Sequence, residues 1–359
     1  MRNHYSAMSK ETLLRHLARG EPCANNDFSG LSLTGLDMSG MAFDNVDLSS
    51  ADLSNADLRE CVFNGCQLNQ ATLDHCQMEK AVFNECTLLA ASFAESDMKD
   101  VVISRSDATN SRFQNAIMHS AVFQEANLTG AMLDAAVAAQ CVFHASQLAQ
   151  ADFGQSDINK HIFYEIDLKE TVFRNKTFNQ VSFIACDMSG QNFQDSIFMA
   201  CQFSEANLSH CNFQRAVLTR SIFAKSNLGA AILDKVDAEY ALFTQADAPN
   251  ASLRQARLDN TMWQDSKLVS AVFSRSTLSN AGFGRANCQD ADFTSCRLDY
   301  ANFDYADLRG ARFDQAKFHY SSMHAALSQH PTLKSKAGVS PPDQALYKAE
   351  MHSVRKRRE

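Results

Sequence analysis

From Asn26 onward the chain sets a large apolar residue at every fifth position and small or polar residues between. Cut in fives it reads NDFSG LSLTG LDMSG MAFDN VDLSS ADLSN ADLRE CVFNG and holds that frame to SSMHA at 321–325, 60 pentads without an insertion. The central residue is Phe, Leu, Met, Ile or Trp in all but five pentads, those of Ala108, Ala138, Ala238, Ala248 and Cys288, and all 25 phenylalanines occupy it. Neither a helix, with its period of 3.6, nor a strand, with its period of 2, produces this spacing. The central residue must point into a continuous core. The first residue of each pentad, usually Ala, Ser or Cys as at Ala51, Ala56 and Cys61, points inward into a tighter space.

A second period sets the number of pentads per turn. Every fourth central residue from Phe43 to Met323 is aromatic in thirteen of fifteen cases, whereas the column one pentad earlier, from Met38 to Phe318, is mostly aliphatic. A four-sided coil of 20 residues explains both. The column of Leu33, Leu53 and Leu73 gains Phe93, Phe113, Phe153 and later rings and faces the Phe43 column, while the Leu48 column has no ring beyond Phe28. Rings from two opposite walls and aliphatics from the other two would fill a narrow shaft without voids.

The motif, a small residue, then Asp, Asn or Ser, then Leu or Phe and two variable residues, resembles the pentapeptide-repeat family over 300 of 359 residues. The resemblance implies an all-β fold, a right-handed quadrilateral parallel β-helix of about fifteen coils, roughly 70 Å long at about 4.8 Å per coil. Such a solenoid has open strand edges at its ends, so three regions are expected: a helical cap over 1–25, the β-helix over 26–325, and a C-terminal cap or linker with a short basic helix over 326–359. Ser9 reads as the N-cap and Gly20 as the stop of the first helix, with Leu13, Leu14 and Leu17 covering the first coil. Leu31, Leu36, Met41 and Val46 are oversized at the small inward position, as at a flare that receives a cap.

Composition narrows the function. The chain has no apolar run of the roughly 18 to 20 residues needed to span a bilayer, and its start lacks the apolar core of a signal peptide, so a cytoplasmic location is expected, with export by a signal-less bacterial system compatible. Of eleven cysteines nine sit in the small inward slot, which makes them reduced packing residues, and no CxxC pair occurs. The histidines lack ligand spacing, the recurrent Asp residues belong to the second pentad position, where they bond backbone at turns, and neither a phosphate loop nor a nucleophile elbow is present. No catalytic, cofactor or metal site is expected.

Surface charge is uneven. Residues 26–325 hold 22 Lys and Arg against 36 Asp and Glu, and residues 26–100 alone hold 3 against 13, while both ends are basic. The acidic coils suggest docking of a basic partner at Asp44, Asp47, Asp52, Asp57 and Glu60. A second departure lies at 161–195, where His161, Ile166, Thr171, Lys176, Val181 and Gln191 replace small residues and overfill a coil. A local widening or bend is expected there, and His161, Lys176 and Gln191 join the candidate contact residues.

The resemblance implies a non-enzymatic scaffold or adaptor that binds protein. The stretch GEPCANNDFSGLSLTGLDMSG is similar to pentapeptide-repeat tails associated with type VI secretion, which implies a secretion-machine partner or a delivered effector. The alternative is a DNA-mimicking protein that binds a type II topoisomerase such as gyrase, from which the chain departs by confining its acidity to one end. Direct nucleic-acid binding is not expected, and a homodimer through an end cap is a further expectation.

Overall fold

Each pentad has five backbone N–H groups, and the architecture follows from where they go. In the pentad of Ala51 to Asn55, the Asp52 N–H donates one coil back to Leu31 O (2.9 Å), while Leu53 N–H and Asn55 N–H donate one coil on to Thr72 O (2.8 Å) and Asp74 O (3.0 Å). The next pentad's first N–H, that of Ala56, closes the corner onto Leu53 O at 3.0 Å. The fourth N–H remains, and the carboxylate of Asp52 takes it from Ser54 at 3.0 Å. This is why Asp and Asn recur at the second position. The same bond links Asp27 with Ser29, Asp107 with Thr109, Asn207 with Ser209 and Asn287 with Gln289. Where the second residue cannot serve, a fourth-position Asp of the preceding coil takes over, as Asp234 does for the Arg254 N–H at 2.9 Å.

The result is a parallel β-solenoid of about fifteen 20-residue coils, with second-position residues bridging their equivalents one coil away, as in Asp52 with Thr72 and Asp292 with Arg312. The structure, a computed structural model, describes residues 6–7, 9–156, 158–174, 177–330, 333–341, 345–346 and 348. Nearly every fifth residue turns its corner at positive φ, whatever its chemistry: Glu60 at 58°, Lys80 at 62°, Ala90 at 54°, Tyr240 at 61°. A position that looks variable in sequence is therefore the most demanding one for the backbone.

The chain divides into two compact units, residues 1–177 and 178–359, and the division falls inside the overfilled segment. In the first unit, β1 (Ser6–Ala7) pairs with β3 (Asn26–Asp27), and helix α1 (Lys10–Arg19) lies between them in sequence. Ser9 is the N-cap residue but its hydroxyl makes no capping bond, and Gly20 ends the helix at φ 62° with its N–H on His16 O and Leu17 O. Of the three leucines expected to cover the first coil, Leu13 is fully buried and Leu17 half-buried, whereas Leu14 is exposed. At 100° per residue Leu14 falls off the narrow stripe that Leu13 and Leu17 share.

Along one wall of this unit runs a parallel sheet of short strands: β2 (Cys23–Ala24), β4 (Ala42–Asp44), β5 (Val62–Asn64), β6 (Val82–Asn84), β7 (Val102–Ser104), β8 (Val122–Gln124), β9 (Val142–His144) and β10 (Ile162–Tyr164), paired in that order. Inside, Phe43, Phe63 and Phe83 stack at 4.8 Å per step, and Phe83 meets Phe93 of the opposite wall edge-on at 85°. The opposed ring walls read from the sequence are thus present, stacked along each wall and T-shaped across the shaft. His161, Ile166 and Thr171 are accommodated inside: each is at most 3% exposed.

The second unit repeats the scheme. Phe203, Phe223, Phe243 and Trp263 stack along one wall, Trp263 is fully buried with its Nε1–H on Thr261 Oγ1 at 2.9 Å, and Phe273 meets it edge-on. At its C-terminal end residues 333–340 fold back: Ser321 N–H donates to Gly338 O (3.1 Å), Ser340 N–H donates to Ser321 O (2.7 Å), and Leu333 is buried. Gly338 has φ 87° and a Cβ there would lie 1.9 Å from Phe318 O, so the position admits only glycine. The basic helix expected near the C-terminus falls largely outside the described residues.

Candidate partner-binding surface

The acidic residues singled out in the sequence belong to one turn of coil but to different sides of it. Asp47, Asp52 and Asp57 stack over Gln67, Thr72 and Gln77 on three successive walls, Asp44 ends β4 on the fourth, and Glu60 sits exposed at a corner. The fold spreads them around the coil, so what they form is a negative collar.

Each of the four aspartates has a structural task as well. Asp44 accepts the Asn64 amide at 3.0 Å, and Asp47 accepts the Ser49 N–H at 2.9 Å. Asp52 accepts the Ser54 hydroxyl at 2.6 Å and the Thr34 hydroxyl at 3.1 Å. Arg59 clamps Asp57, with Nε 2.9 and 3.1 Å from its two oxygens. These donors favour the charged form and hold both carboxyls below the usual range, Asp52 chiefly through Ser54 and Asp57 chiefly through Arg59. Among the described residues Asp57 is the one member of this set with an ionic partner.

Farther along the chain carboxylates are more often paired with a cation about one coil away: Arg105 with Glu85 (3.1 Å) and Arg174 with Asp152 (2.6 Å) in the first unit, and Arg215 with Asp195 (2.7 Å), Lys225 with Glu205 (3.2 Å), Lys267 with Asp247 (3.0 Å) and Arg285 with Asp265 (2.6 Å) in the second. Each such exposed pair contributes at most about 1 kcal/mol, but together they cancel the local field. Hence the uncompensated negative field belongs to the first coils.

The remaining candidate residues do not join that collar. His161 is buried, its Nδ1 3.1 Å from Asn159 O and its ring between those of Phe143 and Phe163, each 6.2 Å away. Gln191 is half-buried in the second unit, with its backbone N–H on Met188 O at 3.1 Å. Lys176 lies outside the described residues.

The cysteines are all buried, and burial pushes the thiols of Cys61, Cys76, Cys141, Cys201, Cys211 and Cys296 up to about 12. Several of these thiols also donate to a corner carbonyl of the preceding coil, as Cys61 does to Met38 O at 2.9 Å and Cys296 to Phe273 O at 2.9 Å. Among the described residues no group of three His, Cys, Asp or Glu side chains is placed to hold a metal ion, and no helix is long and apolar enough to cross a membrane.

Sequence reasoning missed one surface. The outward second-position residues of the Phe43 wall are Val62, Val82, Val102, Val122, Val142 and Ile162, each beside the next in the parallel register. The signal was present in the 20-residue period, because the other walls carry mostly polar residues at that position in the same coils, such as Gln67, Thr72 and Gln77, with Ile117, Met132 and Val137 as isolated exceptions.

Two family models match the chain: a pentapeptide repeat region over residues 36–113, and pentapeptide repeats (8 copies) over 96–134, 121–159, 201–237 and 286–324. Among solved structures the chain is similar to HetL, a pentapeptide repeat protein involved in heterocyst differentiation regulation from the cyanobacterium Nostoc sp. strain PCC 7120, at 22% identity over 88% of this chain and 97% of that one, with a TM-score of 0.26. Full-length QnrB1, a plasmid-mediated fluoroquinolone resistance protein, is 17% identical over 81% and 93% of the two chains, with a TM-score of 0.18. Rfr23 from the cyanobacterium Cyanothece 51142 is 13% identical over 41% and 91%, with a TM-score of 0.14. A search of curated protein sequences finds no match.

Proposed function

The chain belongs to the pentapeptide-repeat family, and from that premise we propose that it is a non-enzymatic scaffold or adaptor whose first coils dock a protein partner with a basic surface. The observation that carries this reading is the acidic collar: Asp44, Asp47, Asp52 and Glu60 have no ionic partner among the described residues, Asp57 alone is clamped by Arg59, and all five lie in a stretch with 3 cations against 13 anions. Fixed outward carboxylates on a rigid repeat steer a cationic surface and set its register. A component of a bacterial secretion machine is the partner class favoured, given the likeness of the N-terminal pentads to type VI-associated tails.

The test uses a crosslinking pull-down from native extract with the full chain and with a variant carrying Asn at 44, 47, 52 and 57. Asn keeps one acceptor oxygen at each position and removes the charge, losing the second oxygen that Asp52 offers to Thr34 and Asp57 to Arg59. Loss of a specific basic partner with the variant, whose melting curve stays near wild type, is the expected result. Equal capture by both proteins would sink the proposal. The second reading, charge mimicry of DNA toward a type II topoisomerase, draws on the same collar; inhibition or protection of gyrase supercoiling at micromolar protein would favour it, and no effect would remove it.

A further inference from the structure

The stripe from Val62 to Ile162 runs straight along one wall of the first unit, about 24 Å at about 4.8 Å per coil. Its valines are half-buried by one another, Ile162 is 40% exposed, and Tyr164 beside it is 37% exposed. Strand propensity alone does not account for it. Threonine has the same branched shape and keeps its outer atoms polar, and the neighbouring walls use it at Thr72 and Thr87.

The charges on the corners flanking the stripe say what fits against it. Each strand of this wall is preceded by a corner ending at residue 60, 80, 100 and so on, and followed by one ending at 65, 85, 105 and so on, all at positive φ. Two copies of the wall placed face to face about a two-fold axis parallel to the coil axis would bring each valine opposite its own copy. The corner before a strand would then face the corner after the same strand in the other copy. Lys80 meets Glu85, Asp100 meets Arg105, and Lys160 meets Glu165, while no like-charged pair is brought together; Glu85 and Arg105, already paired within the chain at 3.1 Å, and Lys80, 3.8 Å from Glu79, would extend these pairs across the two copies. The antiparallel arrangement matches only Glu60 with Lys160 and Arg105 with Glu125.

We propose that this apolar wall of the first unit is a self-association surface, occupied by the same wall of a second copy in parallel two-fold orientation. The strip is narrower than a standard interface, so the association is weak, with a dissociation constant on the order of tens to hundreds of micromolar. It is independent of the acidic collar, because the Asn variants used to test the collar leave the stripe untouched.

Sedimentation equilibrium of the full chain from about 5 to about 500 µM tests it. The wild type should dimerise over that range. Val102→Glu sets two carboxylates against each other at the axis and should weaken the dimer at least about tenfold; Val102→Thr, which keeps the strand-favouring shape, should weaken it about threefold with an unchanged melting curve. Arg105→Glu should weaken it, and adding Asp100→Arg should restore it, since the two new charges face each other only between copies. A wild type monomeric at 500 µM, a Val102→Thr dimer as tight as wild type, or a double variant no tighter than Arg105→Glu overturns the proposal.

Discussion

Ser276 is the sharpest place to test how the small inward position works. It is 1% exposed, its hydroxyl donates to Leu253 O at 2.6 Å, and it accepts the Ala256 N–H at 2.9 Å. The hydroxyl therefore inserts into the corner of the coil below, in place of the direct bond seen at Ala246 N–H to Phe243 O, 3.0 Å. In Ser276→Ala two hydrogen bonds disappear and the corner recloses to make one. At about 1 kcal/mol net per bond the variant should lose about 1 kcal/mol. Had the corner been unable to reclose, two buried orphans would cost about 2 to 6 kcal/mol. Ser276→Cys should stay within about 0.5 kcal/mol, because a thiol in this slot donates to the corner carbonyl while the corner keeps its own bond, as at Cys61 and Met41, both on Met38 O. Urea unfolding followed by the single tryptophan, Trp263, reports on the same unit. A loss of 3 kcal/mol or more for Ser276→Ala, or none, would refute the reclosing corner.

Three further outcomes are expected. The Asp307 carboxyl is lowered to about 2, first by Arg309 and then by Gln289, so the stability it contributes is present above about pH 4 and is lost as pH falls through about 2; Asp307→Asn should be about 1 kcal/mol weaker at pH 6, after allowance for screening of the half-exposed Arg309, with the gap shrinking below pH 4 and closing below about 2. A gap that does not shrink between pH 4 and about 2 would mean the charge is not the cause. Gly190→Ala, at φ 75° with open space around the new Cβ, should cost about 1 kcal/mol from the backbone alone. Gly310→Ala should cost more, because its Cβ would meet Asp290 Oδ1 at 2.0 Å, and the excess should vanish when Asp290 is changed to Ser; equal losses without that change would argue against the contact.

The sequence by itself determined the coil. The five-residue period turns every Phe inward, and the 20-residue alternation of ring and aliphatic columns sets four pentads to a turn. The opposed ring walls, the inward thiols and the turn-closing Asp residues were legible for the same reason, since they depend on position within the repeat. What tertiary structure decided lies between coils. The positive φ at the fifth residue is invisible in a motif that calls that position variable, and the serine hydroxyl seated in the corner below and the pairing of Arg215 with Asp195 join residues about 20 apart that a five-letter motif does not relate. The candidate site shows the same division. The sequence placed the acidic residues on adjacent pentads, but successive pentads face successive walls, so proximity along the chain became a ring around it; the valines, 20 residues apart, became neighbours. Surfaces of this fold run along the coil axis, and adjacency there is set by the hydrogen-bonded register between coils.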